Sequence, residues 1–216
     1  MNNPTIKPTE GTRSKEHVLH TGTTTVGIVV KNAVILGADK RATEGFYVAS
    51  KTADKIHKVS SNVAMTIAGS VADAQYLIDL MAAESKLYEL QNGRKIAVNT
   101  VVKILANELY RAKYPMPYEV QHIVGGVDGE GPKIYDVGGD GSILKETYTS
   151  TGSGSLYAYG VLEDEYKEGL TIEEGVNLVK KAVKAAISRD IFTGNGIDIF
   201  IITKDKIEKK SFDLKK

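Results

Sequence analysis

The chain contains no cysteine. Disulfides, a thiol nucleophile and any cysteine-ligated zinc or iron–sulfur centre are therefore excluded, which fits a reducing cytoplasm. Net charge is almost absent as well: 28 Lys and Arg stand against 27 Asp and Glu in 216 residues. Such a balance gives no electrostatic reason to expect nucleic acid or an anionic membrane as partner. No uncharged apolar run approaches membrane-spanning length, and residues 1–22 lack the apolar core of a secretory signal. A soluble, non-exported cytoplasmic protein is expected. No glycine-rich run ends in Gly-Lys-Ser/Thr, so a P-loop is absent, and no nucleophile-elbow sequence accompanies His57 or His122.

What is present is enough apolar material, 42% of residues, for one compact domain of mixed architecture. The segment before Thr23 is polar and has almost nothing to bury before Val18 and Leu19, so it should be loosely docked or disordered. Its removal takes away three basic and two acidic residues, leaving 25 of each. His17 and His20 lie three apart there, but two histidines in a polar tail read as solvated side chains. No metal or cofactor is expected.

The chain is organised around His20-Thr21-Gly22-Thr23-Thr24-Thr25-Val26-Gly27. Alone, the three threonines are the β-branched start of a strand after a turn glycine. A threonine hydroxyl is a weak nucleophile, and one way to activate it is to give the same residue a free α-amino group. That requires cutting between Gly22 and Thr23. Such an amine has a reference pKa of about 7.7 to 8.0, so near neutrality part of it is able to accept a proton.

Strands are predicted at 23–30, 33–39, 55–59 and 63–68. Ser70-Val71-Ala72-Asp73 starts a helix over 71–91 that Gly93 caps, and a second helix runs over 99–114, ended by Pro115 and Pro117. Strands return at 121–127, 133–137 and 142–148. A second helix pair follows: one over 154–166, and one opening on the capping box Thr171-x-x-Glu174 with an apolar stripe Ile172, Val176, Val179, Val183 and Ile187. The last strands cover 197–203 and 207–212. Strands do not alternate singly with helices, so a doubly wound parallel sheet is not expected. The order predicts an α+β fold, a four-layer αββα sandwich of two antiparallel sheets, each covered outside by a helix pair. The Gly152-Ser-Gly154-Ser run is not a dinucleotide fingerprint, because Tyr157 stands where the third glycine belongs.

The run TTTVGIVVKNAVILGADKRAT…KTADKIHKV resembles the catalytic β subunit of the proteasome, from Thr23 to about Thr203. The αββα sandwich is the fold this resemblance to N-terminal nucleophile hydrolases implies. It further implies a pro-segment, residues 1–22, removed by self-cleavage to leave a catalytic domain over 23–216 with Thr23 as nucleophile. Lys55 would supply positive charge beside the hydroxyl, and Asp39 would hold Lys55. The Gly69 amide would form the oxyanion hole, and Ser153, Asp190 and Thr193 would complete the network around the threonine amine. Thr193 stands where the family often has serine. Ala42, Ala53, Ile67 and Val71 would line the substrate pocket with Lys55 at its base, bordered by His57, and favour cleavage after apolar residues; His122 is read as structural.

The partners implied are proteasome α subunits, β neighbours in heptameric rings with a second β ring face to face, unfolded polypeptide substrates, and an ATPase ring acting through the α ring. Two rivals remain open: a non-catalytic scaffold subunit of the same architecture, and an N-terminal nucleophile amidase acting on a small amide.

Overall fold

The computed structural model describes residues 22–213. The expected looseness of the leading segment and the pair His17 and His20 lie outside these residues. In chain order, β1 (Thr25–Val30) and β2 (Ala33–Asp39) form a hairpin, turned at Asn32 in a left-handed conformation, φ 63°. A small ribbon of β3 (Ala42–Glu44) and β4 (Tyr47–Ser50) follows, then β5 (Ile56–Lys58), β6 (Val63–Thr66) and the short β7 (Ala68–Gly69). Helices α1 (Val71–Asn92) and α2 (Val98–Arg111) come next. After them run β8 (Val120–Asp128), β9 (Gly131–Gly138), β10 (Ile143–Glu146) and β11 (Tyr148–Thr151). Helices α3 (Ser155–Glu165) and α4 (Ile172–Ile187) precede the closing strands β12 (Ile197–Ile202) and β13 (Ile207–Phe212).

One sheet has the order β11-β1-β2-β12-β13 and the other β10-β9-β8-β6-β5, with β7 beside β8; every pairing is antiparallel. The alternation of β2 shows why both faces are apolar. Val34, Leu36 and Ala38 point at the opposite sheet, clustering with its Ile123 and Ile134 beside Phe200 of their own sheet, while Ala33 and Ile35 point outward at Val179 and Val183 of α4. Helices α1 and α2 cover the second sheet through Leu77, Met81, Val101 and Leu105 against Val63, Met65 and Val124. This is the expected αββα sandwich.

The capping chemistry is mixed. Thr171 and Glu174 make the full reciprocal box, and Gly93 closes α1 at φ 65°. At Ser70 only half the box forms: its hydroxyl accepts from Asp73 N–H, while the Asp73 carboxylate accepts from Glu119 N–H at 3.2 Å instead.

Several features differ from expectation. The segment 142–148 is not one strand: the chain leaves one sheet after Glu146 and joins the other at Tyr148, with Thr147 between them giving its carbonyl to Val29 N–H. The β3–β4 ribbon was not foreseen, because its Tyr47 and Val48 are exposed and carry no buried alternation. Helix α2 stops at Arg111, since the chain tightens at Lys113, whose N–H bonds Tyr110 O, before the restriction imposed by Pro115. Strand β1 starts at Thr25, two residues late, because Thr24 N–H turns to the Asp39 carboxylate.

Candidate active site

Antiparallel register brings distant loops to one end of the sandwich. Thr25 faces Ala38 on one side and Thr151 on the other, so one step beyond the ladder places Thr24 and Thr23 between Asp39 and the loop 152–154. That loop approaches closely only because it is glycine-rich. Gly152 has φ +90°, and a Cβ there would lie 2.2 Å from Thr23 O; a Cβ on Gly154 would lie 2.0 Å from Thr24 Oγ1. The spacing Gly-Ser-Gly is thus a packing requirement of the threonine pair rather than loop slack.

Asp39 is 1% exposed and its carboxylate is saturated. Oδ1 accepts from Lys55 Nζ at 2.8 Å and Thr24 N–H at 3.0 Å, while Oδ2 accepts from Arg41 N–H at 3.0 Å and Gly194 N–H at 2.9 Å. A buried carboxylate so surrounded is held in place from four directions. Lys55, 6% exposed, also donates to Gly22 O at 3.3 Å. Burial pushes the Lys55 ammonium below the ordinary lysine range, and the neighbouring Asp39 charge opposes that fall. A lysine so depressed loses its proton at lower pH than a solvated one, and only the neutral amine can act as a base.

On the other side of Thr23, Asp190 Oδ2 accepts two hydroxyls at 2.6 Å, from Ser153 and Thr193, and its Oδ1 accepts from Phe192 N–H at 3.1 Å. With their protons committed to Asp190, the two hydroxyls act as acceptors toward the threonines. Thr23 N–H donates to Ser153 Oγ at 3.2 Å, and Thr24 Oγ1 donates to Thr193 Oγ1 at 2.8 Å. Threonine at 193 makes every hydroxyl contact a serine there could make.

Gly22 has no room for a side chain: a Cβ there would lie 1.7 Å from Cβ of Phe192. Its N–H donates to Thr43 Oγ1 at 3.1 Å. Thr43 lies on the unforeseen ribbon, so nothing in the sequence pattern pointed to it.

Beside Thr23 opens a cavity of about 430 Å³. Ala42, Ala53, His57, Ile67 and Val71 line it together with Lys55 and Gly69, so all the expected pocket positions meet. Gly69 has φ +107° where β7 passes into α1, and a Cβ would lie 2.1 Å from Glu119 O. Ser50, Asp54 and Gln75 add polar wall that sequence reasoning missed. Asp54, on the rim, is held ionised below the usual carboxylate range by its bond to Lys209 on β13. His122 lies away from the cavity, fully buried inside β8, with Nδ1–H donating to Thr66 O at 2.7 Å.

The family model described as Proteasome subunit matches residues 19–202. Proteasome subunit beta of Methanocorpusculum labreanum is 48% identical over 90% of this chain and 92% of its own length. Proteasome subunit beta 2 of Hyperthermus butylicus is 46% identical over 90% and 91%, and proteasome subunit beta of Methanobrevibacter ruminantium 45% identical over 89% and 92%. The match runs through the threonine run, both sheets and both helix pairs, and the chain belongs to the proteasome subunit family, as a β subunit of the archaeal type, a threonine peptidase.

Proposed function

We propose that this β subunit is an endopeptidase that first cuts itself between Gly22 and Thr23 and then hydrolyses unfolded polypeptides through an acyl-enzyme on Thr23. One observation carries the reading. In the uncut chain the Gly22 carbonyl oxygen already meets the ammonium of Lys55, itself 2.8 Å from Asp39, at the edge of the cavity beside Thr23.

In self-cleavage Thr23 Oγ adds to the Gly22 carbonyl carbon and gives up its proton. The carbon–nitrogen bond breaks, and the nitrogen takes a proton to become the free amine of Thr23. Water then opens the Gly22 ester, releasing a carboxylate at Gly22 and restoring the hydroxyl. Before the cut the Thr23 nitrogen is an amide that donates to Ser153, so it is no base, and Lys55, once it has given up its own proton, is the candidate acceptor. After the cut the new amine sits beside Ser153 and Asp190, which orient it. The same hydroxyl then attacks a substrate carbonyl, the leaving amine departs with a proton, and water hydrolyses the ester. Gly69 is the backbone candidate for stabilising the oxyanion, a contribution typically worth about 3 kcal/mol per donor.

Ala42, Ala53, Ile67 and Val71 support a preference for apolar residues before the cut bond. A proteasome β subunit works in a 20S core with α subunits; the finer reading here is heptameric rings, two β rings between α rings, an ATPase ring supplying unfolded chains, and a cytoplasmic setting. Among the described residues no helix is long and apolar enough to cross a membrane.

Intact mass and N-terminal sequence of active assembled protein test the reading. Active material should begin at Thr23, and Thr23→Ala should keep residues 1–22 and lose peptidase activity. Active material that begins at Met1 overturns it.

A further inference from the structure

Gly22 is held at three points, and only one of them belongs to the residues assigned to peptide hydrolysis. Lys55 Nζ meets its carbonyl oxygen at 3.3 Å. Its N–H donates to Thr43 Oγ1 at 3.1 Å, in a buried contact on the β3–β4 ribbon. Its α-carbon is pressed so close to Phe192 that no side chain fits. Thr43 itself is 4% exposed, and the bond from Gly22 is what occupies its hydroxyl as an acceptor.

The geometry points to Thr43 as a positioning residue for self-cleavage: its hydroxyl fixes the rotation of the Gly22 peptide so that the carbonyl carbon faces Thr23. This rests on the self-processing reading above. With the carbonyl oxygen tied to Lys55 and the amide hydrogen tied to Thr43, the residue that carries the scissile carbonyl cannot turn about its own Cα. Orientation of this kind governs intramolecular acyl transfer, where a misplacement of about 1 Å costs on the order of a hundredfold. The contact exists only while residue 22 is attached. Once the Gly22–Thr23 bond is hydrolysed, Gly22 leaves, and Thr43 Oγ1 has no further part in holding the acyl group. Its substitution should therefore weigh on maturation far more than on turnover.

The test uses full-length chain assembled with its α subunit, followed by intact mass for loss of residues 1–22 and by peptide hydrolysis per exposed Thr23. Thr43→Val, nearly isosteric but without the hydroxyl, should slow processing by roughly ten- to a hundredfold, with a much smaller fall in kcat/KM per matured site. Thr43→Ser should restore the processing rate, and Thr43→Ala serves if the valine variant fails to assemble. Processing of the valine or alanine variant at the wild-type rate overturns the inference. So does a serine variant as slow as valine, or an equal fall in processing and in kcat/KM, which would mark Thr43 as merely structural. Wild-type protein that is active while uncut sinks the self-processing reading itself, a different result from any of these.

Discussion

Asp39 Oδ1 lies 2.8 Å from Lys55 Nζ, and both side chains are shut off from solvent. Every other hydrogen-bonding direction on that carboxylate is filled by a backbone N–H, from Thr24, Arg41 and Gly194. Asp39→Asn would turn an amide NH2 against these donors and leave Lys55 without its counter-charge. Losing one member of a buried pair costs about 3–5 kcal/mol. The variant should show a clearly lower Tm, and kcat/KM for a fluorogenic peptide should fall by roughly a hundredfold or more. Wild-type activity in this variant would remove Asp39 from the proposed site.

The same pair has a pH signature. Burial lowers the Lys55 pKa from its ordinary 10.5 and Asp39 is the main force holding it up. If neutral Lys55 is the proton acceptor, kcat/KM rises with pH through an ionisation below 10.5. In whatever activity Asp39→Asn retains, the midpoint should move lower still, because the opposing charge is gone. A midpoint that moves upward would assign the profile to another group.

His122 predicts acid sensitivity at a residue outside the cavity lining. Burial lowers its pKa from 6.5 to about 4. Between those values the unfolded chain binds the proton and the folded chain does not. Stability is therefore full above 6.5 and is lost as pH falls toward 4, by up to about 3 kcal/mol. Denaturant midpoints at pH 7 and pH 4.5 should differ less in His122→Gln than in the wild type.

Thr193→Ser keeps the hydroxyl between Thr24 and Asp190 and should retain most activity. Thr193→Val leaves the Thr24 hydroxyl buried without that acceptor, a loss of about 1–3 kcal/mol, read as a lower Tm and slower peptide turnover.

Gly152→Ala meets both a left-handed backbone and the Thr23 carbonyl 2.2 Å from the new carbon. It should lower Tm by the equivalent of at least about 1 kcal/mol and impair turnover. Gly129→Ala, where a Cβ meets nothing within 4 Å, is the matched control and should do neither.

The layered fold was legible because its signals are local. The β2 and β12 runs are apolar on both faces, α4 carries its stripe from Val176 to Val183, and Thr171 and Glu174 announce its start. The site positions came from resemblance, and the register of Thr25 with Ala38 and Thr151 explains why they meet. What stayed hidden was long-range or poorly buried. The switch of sheets at Thr147 leaves no mark in the polarity pattern, because sheet membership is decided by partners elsewhere in the chain. The ribbon holding Thr43 exposes its apolar residues, so neither its strands nor its contact with Gly22 could be read in advance. Phe192 behind Gly22 was invisible for the same reason: the contact joins two loops.

The bond from Thr23 to Ser153 spans 130 positions and that from Thr24 to Thr193 spans 169. A chain still emerging from the ribosome therefore has its threonines long before it has the partners that flank them. On the proposed mechanism a half-made subunit therefore lacks Ser153 and Thr193, and the site is complete only when the whole sandwich is.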